Sequence, residues 1–315
     1  MNPKDEKVVM EKKSSLTSET PACLICGSES KIPFLTVPNR FSLSEQFTVV
    51  KCADCGLVYL SPRPSEDEIA VYYKDENYQP HQEQAKTLTE RLYRFIRIFN
   101  NRYKRRLIEK LVPRGKILDY GCGTGEFLVE MRNSKWETYG FEPSEKAAEI
   151  AKSYDLNLLT QFADLDQKVD VITLWHVLEH IHSTEDLLEK ITIKLAQNGF
   201  LILALPNRES YDARSYGRNW VAYDAPRHLY HFTPSDMENL LKQYNLKILS
   251  VHRLMFDAWY NCLLSAQLEY QQAGKRHMVT GILKAGVVAA ISSIVSMLNA
   301  RKSSSIIYIA VFINQ

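Results

Sequence analysis

From Lys116 onward, short apolar runs alternate with stretches whose apolar residues recur every three or four positions. Period-two and continuous apolar runs predict strands at 116–120, 137–141, near 156–160, 169–175, 199–205, 246–253 and 305–313. Helical periodicity predicts helices around 125–133, 144–154, 184–196 and 234–244. Strands and helices that alternate through short connections predict a doubly wound α/β sheet. A ligand of such a sheet lies at the carboxyl ends of its strands. Upstream, Leu92, Phe95, Ile96, Phe99, Tyr103, Leu107 and Leu111 form the stripe of an amphipathic helix over about 87–112, stopped by Pro113. Residues 21–64 read as β-rich, with runs at Phe47–Lys51 and Leu57–Leu60, and end in Ser61-Pro-Arg-Pro64. Residues 1–20 are polar and predict a disordered tail.

Two stretches fit this alternation less simply. Residues 65–83 carry Tyr72, Tyr73 and Tyr78 in a polar setting, as a lid or substrate-facing linker would. Roughly fifty residues separate the last two strands, a helical insertion at about 258–302, and within it Ala285–Leu298 carries no charge. At 14 residues that run is too short to span a bilayer. Val287, Ile291, Ile294, Val295 and Leu298 make its apolar stripe, opposite Ala289, Ser292 and Ser296. A packing or homodimer helix is expected, with contact of 285–298 to a membrane surface as the alternative.

Composition narrows the class. At 315 residues, 45% hydrophobic and 24% charged, the chain is a soluble globular type with room for a second small domain. Lys+Arg 39 against Asp+Glu 37 gives no global nucleic-acid signature. The first twenty residues have no apolar core of a signal peptide, so a cytoplasmic protein is expected, peripheral at the membrane if 285–298 touches lipid. One local charge imbalance stands out: Arg91, Arg94, Arg97, Arg102, Lys104, Arg105 and Arg106, against Glu109 alone between Arg91 and Lys116. Such a run is a solvated helix face or a field for an anionic partner.

Four of the six cysteines fall in two Cys-x-x-Cys-Gly units, Cys23/Cys26 with Gly27 and Cys52/Cys55 with Gly56. Each unit presents paired thiolates on a turn freed by its glycine. Together they complete a closed tetrahedral shell, which argues structural zinc over four unrelated buried cysteines.

The chemistry centres on Lys116-Ile-Leu-Asp-Tyr-Gly-Cys-Gly-Thr-Gly125. An apolar run ending in alternating glycines predicts a buried strand turning tightly into a helix. Glycine lets backbone approach a ligand closely and visit positive φ. A dinucleotide would want Gly three residues after Gly123, where Glu126 would oppose its diphosphate. Asp119 instead precedes Gly121 by two, and a carboxylate there suits a cofactor carrying an ammonium and a sulfonium. Glu142 ends the next strand, where it can take two ribose hydroxyls. The pattern of Asp119, Gly121, Gly123 and Gly125 resembles motif I of the S-adenosylmethionine (SAM) methyltransferases. Trp175 and His176, followed by Glu179 and His180, end strand 169–175 on the same rim and join the expected donor site.

The resemblance extends over nearly the whole chain. Besides the cysteine units and motif I, it rests on the Pro-Arg-Pro and Tyr-Tyr linker and on Trp175-His-Val-Leu-Glu-His180. Leu205-Pro-Asn207, Trp220, and Asp224-Ala-Pro-Arg-His-Leu-Tyr-His-Phe232 complete it. Together they look like the zinc-ribbon-bearing class I SAM methyltransferases of saccharide and secondary-metabolite pathways. That resemblance implies a Rossmann-like doubly wound methyltransferase sheet over 113–315, mostly parallel with the last strand antiparallel. It also implies a zinc ribbon at 21–64, SAM as methyl donor, and a small-molecule acceptor such as a sugar, nucleotide-sugar or lipid-linked saccharide. Sugar C-methyltransferases of similar layout place a histidine three residues before an aromatic-Phe-Ser step, and His228 precedes His231-Phe-Thr by three. Their tyrosine three residues ahead is Ala225 here, which leaves O- and N-methylation open.

If the acceptor is a hydroxyl or amine, His228 is the first candidate base, His231 the second and His176 the third, since an imidazole titrates near neutrality. The alternative for each is a core histidine bonded to backbone. Trp220 and Tyr230 are expected to line the acceptor cleft, with Arg227 and the helix arginines holding a phosphate. Competing functions are a catalytically silent scaffold of the same fold and a nucleic-acid methyltransferase using the basic helix.

Overall fold

The computed structural model describes residues 17–73, 88–273 and 278–314. Its N-terminal module is antiparallel: β2 (Lys31–Asn39) pairs with β3 (Ser42–Cys52), and β3 with β4 (Val58–Leu60). β1 (Ser18–Glu19) pairs with β5 (Arg63–Pro64), and the Arg63 guanidinium bonds Glu19 at 2.6 Å. Those two residues, expected in the tail, are therefore structured; residues 1–16 lie outside the described residues. So does Tyr78 of the expected linker, whereas Tyr72 is buried with its ring edge-on to Phe47 at 5.9 Å.

The amphipathic stretch forms α1 (Leu88–Glu109), which buries Leu107 and Ile108. Thr87 and the side chains of Arg91, Leu92, Arg94 and Phe95 lie outside the described residues. Phe99, expected in the buried stripe, is exposed and meets Phe256 edge-on at 5.7 Å. Tyr103, Leu107 and Leu111 of the same stripe do pack on the core, as its period suggested.

Then follow β6 (Lys116–Tyr120), α2 (Glu126–Asn133), β7 (Glu137–Phe141), α3 (Glu145–Ser153), β8 (Asn157–Leu159), β9 (Val169–Trp175), α4 (Thr184–Lys194) and β10 (Leu195–Pro206). α5 (Tyr211–Tyr216), β11 (Tyr230–His231), α6 (Pro234–Gln243), β12 (Leu246–Arg253), α7 (Asp257–Ala273), α8 (Met278–Leu298) and β13 (Ser305–Phe312) complete the order. The sheet runs β12-β13-β10-β9-β6-β7-β8, with β13 antiparallel to both neighbours. Its strands are near-continuous apolar runs because helices cover both faces. Ile117, Leu118, Val171, Ile172, Leu201 and Leu203 are buried completely. The order reverses between β6 and β9, which opens a crevice at their carboxyl ends.

The two sheets are joined. β11 leaves the large domain to pair antiparallel with β4, and Leu60 N–H donates to the Leu229 carbonyl at 2.8 Å. Thr233 caps α6 reciprocally with Asp236 and fixes the chain just beyond β11.

The insertion departs most from its sequence pattern. α8 is 21 residues long, not 14, because Lys284 does not break it: its ammonium bonds Glu269 of α7 at 2.8 Å. Val279–Leu298, with mean hydropathy 1.9, is long and apolar enough to cross a membrane by length and composition. The face turned inward is also the opposite of the expected one. Ala285, Ala289 and Ser292 are buried, whereas Val287, Ile294 and Leu298 are 60%, 57% and 85% exposed. Small residues let α8 approach closely, and Ser292 Oγ donates to the buried Asp212 carboxylate at 2.8 Å.

Candidate active site

The glycine turn is built as its composition requires. Gly121, Gly123 and Gly125 have φ of 75°, 56° and 79°. A Cβ on Gly121 would stand 2.6 Å from Val177, and one on Gly125 would run into Leu156. Only glycine fits these positions. Two carboxylates flank the turn. Glu142 accepts from Gly123 N–H at 2.8 Å through one oxygen and from Ser144 N–H at 2.8 Å through the other. Each oxygen keeps a lone pair, as two vicinal hydroxyls require. Burial raises the Glu142 pKa.

Asp119 is buried and accepts from Thr173 Oγ1 at 2.6 Å. Burial pushes it up to about 7, with Glu142 adding and Thr173 and Lys104 opposing. Lys104, counted by its sequence among a solvated basic face, turns inward from α1. Its ammonium lies 4.2 Å over the Trp175 ring and 5.8 Å over Phe127. Burial lowers it to about 8, against Asp119 and Asp257, which raise it. The charge run hid this residue, since helical period alone does not separate it from Arg105 and Arg106. Arg97 and Arg105 are engaged with Glu126 at 2.7 Å and with Glu109 and Glu130 at 2.6 and 2.8 Å. The positive field is thus smaller than the sequence suggested.

His176, at φ 58°, closes β9 on the same rim, and its backbone N–H donates to Ala204 at 2.9 Å. Its Nδ1 is 3.4 Å from Glu179 and its Nε2 3.3 Å from Asp257. Burial works against a charge here, but the two carboxylates outweigh it and push His176 up to about 9. The folded value exceeds the ordinary 6.5, so the pair contributes stability fully below pH 6.5 and loses it as pH rises through about 9. Thermal melts from pH 6 to 10 should show that loss in the wild type and a flatter profile in His176→Gln; parallel profiles would refute the pairing.

Beside it stands a second group. Glu179 is 1% exposed, and neither of its oxygens accepts a hydrogen bond, His176 being its close charged neighbour. Burial opposes its charge, yet His176 and the other nearby histidines hold its pKa below the usual range. His180 Nδ1 meets the Arg227 carbonyl at 3.0 Å and Tyr73 OH at 2.9 Å. His228, 9% exposed, meets the Ala222 carbonyl through Nδ1 at 2.8 Å. Carbonyls only accept, so both rings are assigned a proton on Nδ1 and a lone pair on Nε2. The rings meet edge-on at 4.5 Å. Burial, then His228, lowers His180 to about 4, so it is neutral. Glu179, His180 and His228 bring three donor atoms within 4.8 Å of one another, a set able to pass a proton or hold a cation. Sequence spacing placed Glu179 and His180 on this rim, and Tyr73, expected in a substrate-facing linker, reaches it through His180; Asp257 and Lys104 come from distant elements and gave no local signal.

Several expected cleft residues lie elsewhere. Trp220 is buried and its indole N–H donates to Asp212 at 2.8 Å, so it is core. Tyr230 is buried against the N-terminal module, its hydroxyl accepting from Arg63 at 3.0 Å. Arg227 is buried on Asp224 at 2.5 Å and holds up the loop. His231 sits in β11 with its ring on Tyr223 at 4.9 Å and its Nε2 buried without a hydrogen-bond partner. Burial takes its pKa well below the ordinary value.

In the N-terminal module Cys23 and Cys55 sulfurs are 3.3 Å apart, Cys26 and Cys52 3.5 Å, and all four lie within 4.8 Å. A tetrahedral zinc–thiolate shell has sulfurs about 3.8 Å apart, given metal–sulfur bonds of about 2.3 Å. Gly27 and Gly56 both have positive φ, and their amides return to Cys23 and Cys52 carbonyls at 2.8 and 3.1 Å. The donor set fits zinc.

Comparison with known proteins bears on the family of the chain. A family described as "Methyltransferase domain" matches residues 89–251, just over half of the chain. A carboxy-S-adenosyl-L-methionine synthase of Campylobacter hominis is 31% identical over 113 residues, covering 31% of this chain and 47% of that protein. The chain thus spans under half the length of that relative. A ubiquinone biosynthesis O-methyltransferase of Pelagibacter ubique is 24% identical, over 49% of this chain and 71% of its own. Among solved structures, a SAM-dependent methyltransferase of Archaeoglobus fulgidus aligns at 18% identity and TM-score 0.45, over 68% of this chain and 93% of its own.

Proposed function

The chain belongs to the SAM-dependent methyltransferase family, and on that footing we propose that it methylates a hydroxyl or amine of a small saccharide-type acceptor. The observation that carries this reading is the pairing of two groups on one rim. Asp119 and Glu142 flank the glycine turn, and Glu179, His180 and His228 converge beside it. When bound, SAM supplies a methyl on sulfonium with a good leaving group, so the protein contributes chiefly alignment. Glu142 would take the ribose hydroxyls, Asp119 the cationic end, and Trp175 an apolar wall. His228 is the base in this reading, because its Nδ1 is fixed on Ala222 and Nε2 retains the lone pair. Glu179 offsets the charge the imidazole gains. A mass-shift screen for methyl transfer to nucleotide-sugars, lipid-linked saccharides and small metabolites tests the reading; no transfer by protein that binds SAM would favour the scaffold instead.

Zinc in the four-cysteine site belongs to the same proposal. One zinc per chain is expected in protein purified without chelator, and metal analysis finding none would overturn it. Cys52→Ser should lower the thermal stability of the module, since closed thiolate sites couple metal to folding. Because β4 carries β11 and Leu60 holds Leu229, that variant should also lose turnover while SAM affinity holds.

A further inference from the structure

We infer that the exposed face of α7 and α8 docks on an anionic lipid bilayer, which α8 lies on and does not cross. α8 presents Val279, Leu283, Val287, Ile294 and Met297 to solvent along one side, and α7 adds Trp259, Tyr260 and Leu263. A groove of ≈ 350 Å³ lined by Leu263, Ala266, Tyr270 and Ile282 separates the two helices. So continuous an apolar surface marks an interaction site.

α8 is held on its own domain by its small-residue face, with Ala285, Ala289 and Ser292 buried. Asp212 is buried beneath it and accepts from Ser292, Trp220 and Ser304 at 2.8, 2.8 and 2.6 Å. Removing α8 would strip a buried carboxylate of a partner. The helix therefore offers lipid one side and protein the other, the arrangement of an interfacial helix.

Charge selects lipid over a second copy. Lys284, Arg301 and Lys302 are engaged with Glu269, Glu238 and Glu209, and the exposed cations bordering the patch are Arg102 and Arg106 of α1. Two copies packed through this face would bring those like charges together, whereas anionic headgroups complement them. The patch continues through Phe256 onto Phe99 and Ile98 of α1, and exposed Arg102 and Arg106 lie on the same helix face. Trp259 and Tyr260 suit the boundary between headgroup and acyl chain.

The docked face adjoins the candidate site, since Asp257, the first residue of α7, touches His176 at 3.3 Å. Among the acceptors proposed, a lipid-linked saccharide is the one this placement delivers. That choice rests on the methyl-transfer reading; lipid binding itself does not.

Sedimentation with vesicles of phosphatidylcholine, with and without phosphatidylglycerol, tests the inference in the absence of donor and acceptor. The full chain should partition onto the mixed vesicles, and Val287→Glu/Ile294→Glu should lose at least about tenfold. Arg102→Glu should lose about fivefold on the anionic vesicles alone. Because both variants alter exposed positions, their thermal melts should match the wild type. No partition onto either vesicle would overturn the inference, and so would self-association in the ultracentrifuge that the double variant abolishes without changing vesicle binding. Methyl transfer without vesicle binding would refute the docking and leave the enzyme reading standing; vesicle binding without methyl transfer would do the reverse.

Discussion

Glu142→Ala is expected to weaken SAM binding roughly a hundredfold while the sheet stays folded. The carboxylate sits at the end of β7 with each oxygen already oriented by one backbone amide, from Gly123 and from Ser144. Hydrogen bonds to a charged group contribute about 1.5–3 kcal/mol each, so losing two to the ribose hydroxyls removes roughly 3 kcal/mol or more. Asp119→Ala should be at least as severe for a different reason. Lys104 stands near Asp119 in a buried aromatic setting, and removing the carboxylate leaves a cation where the donor's own positive charge must go. Asp119→Ala/Lys104→Met should then recover thermal stability without recovering donor affinity. Calorimetry with S-adenosylhomocysteine reads both effects, and unchanged affinity in Glu142→Ala and Asp119→Ala alike would remove these residues from the site.

The parts of this arrangement that were legible in the sequence are those that local chemistry dictates. A parallel strand buried on both faces must be a continuous apolar run, so β6, β9 and β10 announce themselves. A turn crowded by Val177 and Leu156 must be glycine, and four thiolates need their two short spacings. What stayed hidden depends on partners far along the chain. Trp220 reads as a cleft aromatic until Asp212, Ser292 and Ser304 assemble its buried acceptor. Lys104 looks like its arginine neighbours until Trp175 and Asp119 arrive from other strands. The inward face of α8 could not be read from hydrophobicity, because close packing selected its small residues and left the large ones outside. The same holds for His231, which follows His228 by three residues but belongs to a strand of the other sheet.

His228→Ala should lower the methylation rate roughly 10²- to 10⁴-fold, the usual worth of a positioned base, with SAM affinity unchanged. The ring is oriented by the Ala222 carbonyl, which holds the Nδ1 proton and leaves Nε2 as the basic atom. His180 packs edge-on against it and is kept neutral chiefly by burial. Glu179 meanwhile stays ionised in a site where neither oxygen accepts a hydrogen bond. A proton arriving on His228 is therefore opposed by no fixed positive charge on His180 and is attracted by the Glu179 carboxylate. His228→Asn is the informative partner variant, since its amide can still donate to Ala222 but cannot take a proton. If His228 is the base, both variants lose the rate. If the ring only props up the loop, Asn restores most of the rate. With the acceptor identified by the mass-shift screen, that recovery, or an unchanged rate in His228→Ala, would return His228 to a supporting role.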